Sequence, residues 1–274
     1  MPDPLAQLRG ASACYDANVA LNAVDIDLPE GRIIALCGPN GSGKSTALRV
    51  MRGLHAPAAG QVEVAGRPIS DWTARDLALQ IAMLSQSPEA PGELSVSDLV
   101  LLGRFAHRGR FGGVSKSDTQ ARDRALAVTE LEALRDRPIG QLSGGQLQRA
   151  WIAMTLAQDA PRIFLDEPTN HLDIAHAFEV LDLLRWLNRS EARGIVVVLH
   201  DLNMAMRYAD HVVLFDKGRI AAQGATREVM TEITIERVFG IRCRLVSIPG
   251  QTLPTLVPLP KSERAFDTGQ DAAE

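Results

Sequence analysis

Residues 38–45 read Gly38-Pro-Asn-Gly-Ser-Gly43-Lys44-Ser45 and match the pattern GxxxxGK[ST] at every fixed position. The stretch follows an apolar run at 33–37 that predicts a strand, and it opens a helix predicted over about residues 45–54. In this setting the glycines let the backbone curl, so that backbone N–H groups and the helix N-terminus point at phosphate oxygens. The Lys44 ammonium would lie near the β- and γ-phosphates, and the Ser45 hydroxyl can bind Mg²⁺. The sequence therefore predicts a phosphate-binding loop.

Length, composition and charge limit the class of protein. The chain has 274 residues, of which 46% are hydrophobic, so we expect one domain with an insertion and a sizeable core. No apolar run approaches the ~18 residues that span a bilayer. The formal net charge of −4 argues against a general nucleic-acid binder. The three cysteines have no disulfide or metal spacing, and no secretory signal is visible, so a cytoplasmic protein is expected.

Further apolar runs predict the strands of a sheet. They lie at 61–64, 81–84, 163–165, 195–199 and 212–215. Nearly continuous apolar character of this kind suits a sheet that is covered on both faces. Ile174, Phe178, Leu181 and Leu184 repeat at helical spacing and predict a crossover helix. The core is therefore expected to be α/β.

Between residues 87 and 160 the strand pattern stops, and this segment predicts a helical subdomain inserted into the sheet domain. Its helices are predicted at 97–103, 117–134 and 146–157, with a loop at 108–114. Residues 1–86 and 161–225 would then form the α/β core. Residues 226–260 would form a C-terminal extension of strands and a helix near 231–239, after a hairpin turn at Asp216-Lys-Gly-Arg219. Residues 261–274 are polar without periodicity, and we expect a disordered tail.

Two adjacent carboxylates, Asp166 and Glu167, follow the strand predicted at 163–165. Ligands of α/β proteins bind at the carboxyl ends of parallel strands. Because successive strand side chains point to opposite sides, the two acids are expected to have different roles. Asp166 would hold Mg²⁺ through water, while Glu167 would polarise an attacking water, a division that suits phosphoanhydride hydrolysis.

Three further features lie where a triphosphate could be bound. Leu142-Ser143-Gly144-Gly145-Gln146 opens a helix and offers a hydroxyl and free N–H groups to an anion. Gln86 and His200 each follow a predicted strand at the ligand side of the sheet. Any one of these features alone is usually structural.

Together and in this order, these motifs resemble the ATP-binding cassette family, the nucleotide-binding subunits of ABC transporters. The resemblance covers about residues 8–225 and implies a P-loop NTPase core, an inserted α-helical subdomain and an N-terminal antiparallel β subdomain. It implies ATP and Mg²⁺ as cofactors and a homodimer in which each site combines two chains. It also implies that Tyr15 stacks on adenine and that Gln86 contacts Mg²⁺ and senses a membrane partner. Ser143 and Gly145 would bind the γ-phosphate held by the opposite subunit, and Asp173 would link the two sites. His200 would contact the γ-phosphate.

The complete set of expected site residues falls into three groups. The catalytic residues are Lys44, Glu167 and His200. The metal residues are Ser45, Gln86 and Asp166. The nucleotide-binding residues are Tyr15, Gly38, Pro39, Asn40, Gly41, Ser42, Gly43, Lys44, Ser45, Thr46, Gln86, Ser143, Gly144, Gly145, Gln146 and Asp173.

A finer resemblance is to importer cassettes for ferric siderophores, haem and cobalamin. It is carried by Leu101-Leu-Gly-Arg104-Phe-Ala-His107, Asn170-His-Leu-Asp-Ile174, His200-Asp-Leu-Asn203 with Arg207-Tyr-Ala-Asp210, and Ala222-Gln-Gly224 to Glu228-Val-Met230. Where cassettes often have Ser-Ala before Leu-Asp, this chain has Asn170-His171, and the aspartate is kept. His171 and His176 have no metal-ligand spacing, and we interpret both as non-ligands.

The resemblance implies a separate integral membrane permease and, through it, a periplasmic or extracellular substrate-binding protein. The chain would lie at the inner face of the cell membrane, with its permease helix in a groove lined by Gln86, Ser87 and residues 99–104. No nucleic acid partner is expected. One alternative is a soluble ABC-type ATPase that acts on DNA, ribosomes or protein assemblies, which commonly has paired cassettes, coiled-coil inserts or basic arms. Another is an exporter cassette, which a fused transmembrane region would favour. None of these features is found in the sequence.

Overall fold

A computed structural model describes residues 4–86, 88–109, 112–170, 172–250 and 253–260. The strands are β1 (Ala6–Tyr15), β2 (Asn18–Leu28), β3 (Ile33–Cys37), β4 (Ala59–Val64), β5 (Arg67–Pro68), β6 (Ile81–Leu84), β7 (Arg162–Leu165), β8 (Gly194–Val198), β9 (His211–Asp216), β10 (Arg219–Ala225), β11 (Cys243–Val246) and β12 (Thr255–Pro258). The helices are α1 (Lys44–Met51), α2 (Ala74–Gln80), α3 (Val96–Leu102), α4 (Lys116–Val128), α5 (Gly144–Ala157), α6 (Ile174–Glu191), α7 (Leu202–Tyr208), α8 (Thr226–Val229) and α9 (Glu232–Phe239). The tail predicted at 261–274 lies outside the described residues.

The central sheet has the strand order β10-β9-β3-β8-β7-β6. Five of these strands run parallel to one another, namely β9, β3, β8, β7 and β6. Strand β10 pairs antiparallel with β9 at the edge of the sheet. Every residue of β3, β7 and β8 is buried, as their continuous apolar runs predict for a sheet covered on both faces. The predicted α/β fold is confirmed, and β3 with its phosphate-type loop lies in the middle of this sheet.

A second sheet, β2-β1-β4-β5, is antiparallel and packs on one face of the central sheet. Its buried side chains, such as Leu8 and Ile26, share a core cluster with Leu36 of β3 and Leu48 of α1. The opposite face of the central sheet packs against α5, α6 and α7. The expected N-terminal antiparallel β unit is thus confirmed, and both faces of the central sheet have an apolar cover.

Helices α3, α4 and α5 pack on one another in the segment predicted to be helical. The helix predicted over 117–134 is wrong at its C-terminal end, because α4 ends at Val128. The Thr129 hydroxyl donates to the Ala125 carbonyl, and Glu130 turns into the left-handed region with φ 57°. The apolar stripe of α6 begins one turn later than predicted, since Ile174 is 72% exposed whereas Leu181 and Leu184 are buried.

Strands β9 and β10 are joined by the predicted two-residue turn, in which Lys217 and Gly218 both have positive φ. The C-terminal hairpin of β11 and β12 is held by Asn203, whose side chain accepts from the Leu256 N–H at 2.7 Å and donates to its carbonyl at 3.2 Å. Among the described helices, none is both long enough and apolar enough to cross a membrane.

A buried ion pair joins the three helices of the inserted segment. Arg104 Nε donates to Asp118 Oδ1 at 3.0 Å, and the two side chains are only 6% and 4% exposed. Arg104 also donates to the Ala157 carbonyl at 2.8 Å, so it connects the ends of α3 and α5 to the start of α4. The Ser115 hydroxyl and N–H donate to Asp118 Oδ2, and with Arg104 they lower the pKa of Asp118 to about 2.

We expect Asp118→Asn to lower the free energy of unfolding by about 3 kcal/mol, because it leaves the Arg104 charge buried without its counter-charge. A carboxyl whose folded pKa is lowered stabilises the fold above its unfolded pKa and loses this effect as the pH falls through the folded value. The difference between native protein and variant should therefore be constant above about pH 5 and shrink between about pH 4 and pH 2. Urea unfolding at a series of pH values measures it.

Asp123→Asn is the matched control, since Asp123 pairs with Arg122 and Arg135 but its side chain is 50% exposed. This variant should lose less than about 1 kcal/mol. Equal losses in the two variants would contradict a specific role for the buried pair.

Candidate functional site

The loop after β3 has a backbone that only glycine accommodates at two positions. Gly38 has φ 151°, and a Cβ there would lie 2.4 Å from the Phe215 carbonyl oxygen and 2.7 Å from Ser42 Oγ. Gly43 has φ 106°, and a Cβ there would lie 2.6 Å from the Ala20 carbonyl oxygen. Gly43 is also the N-cap of α1, so the loop leads directly into a helix N-terminus. This is the strand, loop and helix arrangement that suits phosphate binding.

Lys44 is the first residue of α1 and is only 4% exposed. Its Nζ donates to the carbonyl oxygens of Gly38 and Pro39, each at 2.9 Å, so the ammonium lies inside the curl of the loop. Burial lowers the pKa of Lys44, and the negative charge of Glu167 acts in the opposite direction. The loop thus combines a helix N-terminus with a buried cation.

Ser45 and Asp166 meet at the inner end of the loop. Ser45 Oγ donates to Asp166 Oδ1 at 2.7 Å. Asp166 is 1% exposed, and within the part of the chain that the structure describes its Oδ2 has no hydrogen-bond partner. Burial raises the pKa of Asp166, although the bond from Ser45 opposes this. A buried carboxylate oxygen without a partner, next to a hydroxyl, fits the oxygen ligands that Mg²⁺ prefers.

Glu167 faces a different set of side chains from Asp166, as predicted, but strand alternation is not the reason, because β7 ends at Leu165 and Glu167 has a left-handed backbone with φ 56°. Gln86 Nε2 donates to Glu167 Oε2 at 2.6 Å, and His200 Nε2 lies 2.6 Å from Oε1. Asn170 Nδ2 also donates to Oε2. The structure therefore brings the predicted residues Gln86, Glu167 and His200 together. Asn170 is not among the predicted site residues, and its spacing of three residues after Glu167 is the only signal for it in the sequence.

The residues of the motif at 142–146 lie elsewhere on the chain. Ser143 is the N-cap of α5 and forms a capping box with Gln146. In the described part of the chain, no hydrogen bond or ion pair joins Ser143 or Gln146 to the loop at 38–45. A Cβ at Gly145 would lie 3.0 Å from the His176 ring, so this motif lies against the start of α6. Gly144, by contrast, has open space around it.

Asp173 caps α6 and accepts from His176, both from its N–H at 2.9 Å and from its ring Nδ1 at 2.8 Å. These bonds lower the pKa of Asp173. No cluster of three or more metal-ligating side chains is found among the residues that the structure describes. His171 lies outside the described residues. The structure thus divides the predicted site residues into two sets, one around residues 38–46 and one around 143–146 and 173.

Tyr15, at the end of β1, is 38% exposed. Its ring lies against the His55 ring with a centroid distance of 4.5 Å, and Arg49 donates to its hydroxyl at 3.4 Å. Adenine binding by Tyr15 stays a prediction.

The fold and the first set of residues define a P-loop ATPase of the cassette type. The sequence model described as ABC transporter matches residues 21–170. The ferric enterobactin transport ATP-binding protein of Escherichia coli (strain K12) is 41% identical over 261 residues, covering 94% of this chain and 96% of the relative. The chain therefore belongs to the ABC transporter family, as an ATP-binding subunit whose ATP hydrolysis is coupled to transport.

Solved structures agree with this assignment. A transporter of the metal-chelate type, solved in an inward-facing conformation, matches with a TM-score of 0.83 and 30% identity over 94% of this chain and 99% of that chain. A dimeric bacterial ABC transporter cassette matches with a TM-score of 0.72 and 29% identity over 81% of this chain and 99% of that chain. The fold is thus that of an ABC cassette.

We expect Gly38→Ala to weaken ATP binding about tenfold or more, since a strained backbone of this kind costs about 1–3 kcal/mol and the new methyl group forces the loop away from Phe215. Titration with a fluorescent ATP analogue measures the affinity. Gly113→Ala is the control, because nothing lies within 4 Å of a Cβ at Gly113. Native affinity in Gly38→Ala would show that the loop conformation does not determine binding.

Proposed function

We propose that two copies of this chain form the ATP-hydrolysing dimer of an ABC importer that carries ferric siderophores or related metal chelates through a separate membrane permease. The main observation that supports an ATPase site is the pair of carboxylates after β7. Asp166 keeps one buried oxygen without a partner next to Ser45, while Glu167 is held by Gln86 and His200. We therefore assign Asp166 to the metal ion and Glu167 to the attacking water molecule.

In this proposal the loop at 38–46 binds the phosphates of ATP through backbone N–H groups and the Lys44 ammonium. Ser45, Asp166 and Gln86 would hold Mg²⁺, which neutralises charge on the β- and γ-phosphates when bound. Glu167 accepts a proton from a water molecule while the oxygen of that water bonds to the γ-phosphorus. The bond between the γ-phosphorus and the oxygen that leaves with ADP breaks. His200 would then donate to the γ-phosphate, where negative charge develops.

The dimer is supported by the separation of the two residue sets within one chain. Ser143 and Gly145 make no polar contact with their own phosphate loop in the described residues, which supports their binding the γ-phosphate of a second chain. A helix N-terminus with a serine is suited to bind such an anion. The similarity to a dimeric cassette supports the same arrangement. Asp173, next to the motif, would lie at the boundary between the two sites.

The groove predicted for the permease helix is only partly exposed. Leu99 and Arg104 are buried, and Ser87 lies outside the described residues. The apolar side chains that α3 and the following turn expose are Leu102 at 50% and Phe105 at 80%. We assign the docking surface to Leu102 and Phe105, since exposed apolar side chains of this size favour a partner contact.

The substrate class is supported by the relatives. The Escherichia coli relative is named for ferric enterobactin, and the similar solved structure is of the metal-chelate type. A substrate-binding protein on the far side of the membrane would deliver the chelate to the permease. These similarities favour an importer subunit at the inner face of the membrane over a soluble ATPase that acts on DNA, ribosomes or protein assemblies.

Lys44→Ala and Glu167→Gln should both abolish ATP turnover, but for different reasons. Lys44→Ala removes a charge that holds ATP, so it should lower ATP affinity and prevent dimerisation. Glu167→Gln leaves the binding surface and removes the proton acceptor, so the variant should accumulate as an ATP-bound dimer. Size-exclusion chromatography with and without ATP separates the two cases. A Glu167→Gln variant that binds ATP and stays monomeric would contradict the composite site.

Phe105→Asp should leave basal ATP hydrolysis by the isolated chain unchanged and reduce ATP-driven uptake of a ferric siderophore at least about tenfold in liposomes with the permease and binding protein. Ile233→Asp is a matched control, because Ile233 on α9 is equally exposed at 80% but lies on the C-terminal extension. Native uptake by Phe105→Asp would exclude this surface, and equal loss in both variants would indicate a general effect of the added charge.

A further inference from the structure

A tight turn after β7 brings Asn170 back onto Glu167. Glu167 lies in the left-handed region with φ 56°, and the Asn170 N–H donates to the Glu167 carbonyl at 3.2 Å, which closes the turn. Asn170 Nδ2 then donates to Glu167 Oε2, an oxygen that Gln86 also contacts. The other oxygen, Oε1, faces His200. The carboxylate is thus held from three sides.

The three residues that contact the Glu167 carboxylate lie on different parts of the chain. Gln86 follows β6 and His200 follows β8, so each reaches Glu167 from another strand end. In the proposed function each has a second partner, the metal ion for Gln86 and the γ-phosphate for His200. Asn170 belongs to the same turn as Glu167 and moves with it. It is therefore the donor that stays on the carboxylate when the other two exchange partners.

We propose that Asn170 is a positioning residue that fixes the Glu167 carboxylate for proton abstraction. This inference rests on the proposed function, in which Glu167 accepts the proton from water. The terminal torsion of a glutamate is broad, so an unrestrained carboxylate samples many orientations. The bond from Asn170 holds Oε2, so that Oε1 faces the water once His200 has turned to the γ-phosphate. The effect is one of orientation, and it acts on the rate of the chemical step rather than on ATP binding.

The turn has a second support that does not involve the Asn170 side chain. Gln148 on α5 donates from Nε2 to the Pro168 carbonyl at 2.8 Å. The backbone bond from the Asn170 N–H to Glu167 is also independent of the side chain. Removing the Asn170 amide should therefore leave the turn folded. A substitution at Asn170 therefore removes the contact with the carboxylate without changing the backbone conformation of the turn.

The test uses steady-state ATPase kinetics of the full chain with Asn170→Ala and Asn170→Asp. Asn170→Ala should lower kcat about tenfold or more while KM for ATP stays within about twofold of the native value. Asn170→Asp has the same shape but cannot donate and adds a carboxylate beside Glu167, so its kcat should fall further. Asn188→Ala is the structural control, because Asn188 lies on α6 and donates to the Gly31 and Arg193 carbonyls, away from the site.

Asn188→Ala should keep the native kcat but have a lower melting temperature. Native kcat in Asn170→Ala would overturn the inference, as would a combined loss of kcat, ATP affinity and melting temperature. Glu167→Gln, measured alongside, tests the proposed function separately. If Glu167→Gln turns over ATP at the native rate, the proposed function fails. If Glu167→Gln is inactive and Asn170→Ala is native, only the role of Asn170 is wrong.

Discussion

The parallel pairing of β3, β8 and β7 is the constraint on which the site depends. In the sheet, Leu36 lies opposite Val198, and Leu165 lies opposite Val197, so β3 ends one residue beyond β8 and β7 ends one residue before it. The phosphate loop, His200 and the two acids therefore leave the sheet at the same edge. This explains how Ser45 reaches Asp166, 121 positions further along the chain. A shift of one residue in either register would separate these side chains.

Two buried charged groups of the site have neutral hydrogen-bond partners. Lys44 bonds to two backbone carbonyls, and Asp166 bonds to the Ser45 hydroxyl. Burying a charge without an opposite charge costs free energy, and the apolar clusters on both faces of the sheet offset that cost. An anion beside Lys44 and a cation beside Asp166 would provide the opposite charges. The electrostatics of the site thus favour a phosphate and a metal ion together.

The sequence predicted those parts of the fold and site that depend on local patterns. Glycine spacing marks the phosphate loop, and unbroken apolar runs mark strands that are buried on both faces. An unbroken apolar run does not predict the orientation of α3, because four consecutive apolar residues at 99–102 do not show which of them faces the core. The contact of Asn170 with Glu167 could not be predicted either. It depends on a left-handed backbone at a glutamate, which no residue pattern marks.

The bond from Gln148 to Pro168 joins the inserted helical segment to the turn that carries Glu167. Gln148 lies on α5, the helix that begins with the Ser143 motif, so the helix that would face the opposite site also contacts the turn next to the acid of its own site. A hydrogen bond of 2.8 Å tolerates a displacement of only a few tenths of an ångström before it weakens. A larger movement of α5 must therefore break this bond, be absorbed by rotation of the Gln148 side chain, or move the turn. The turn that carries Glu167 is thus connected to α5 within a single chain by this hydrogen bond.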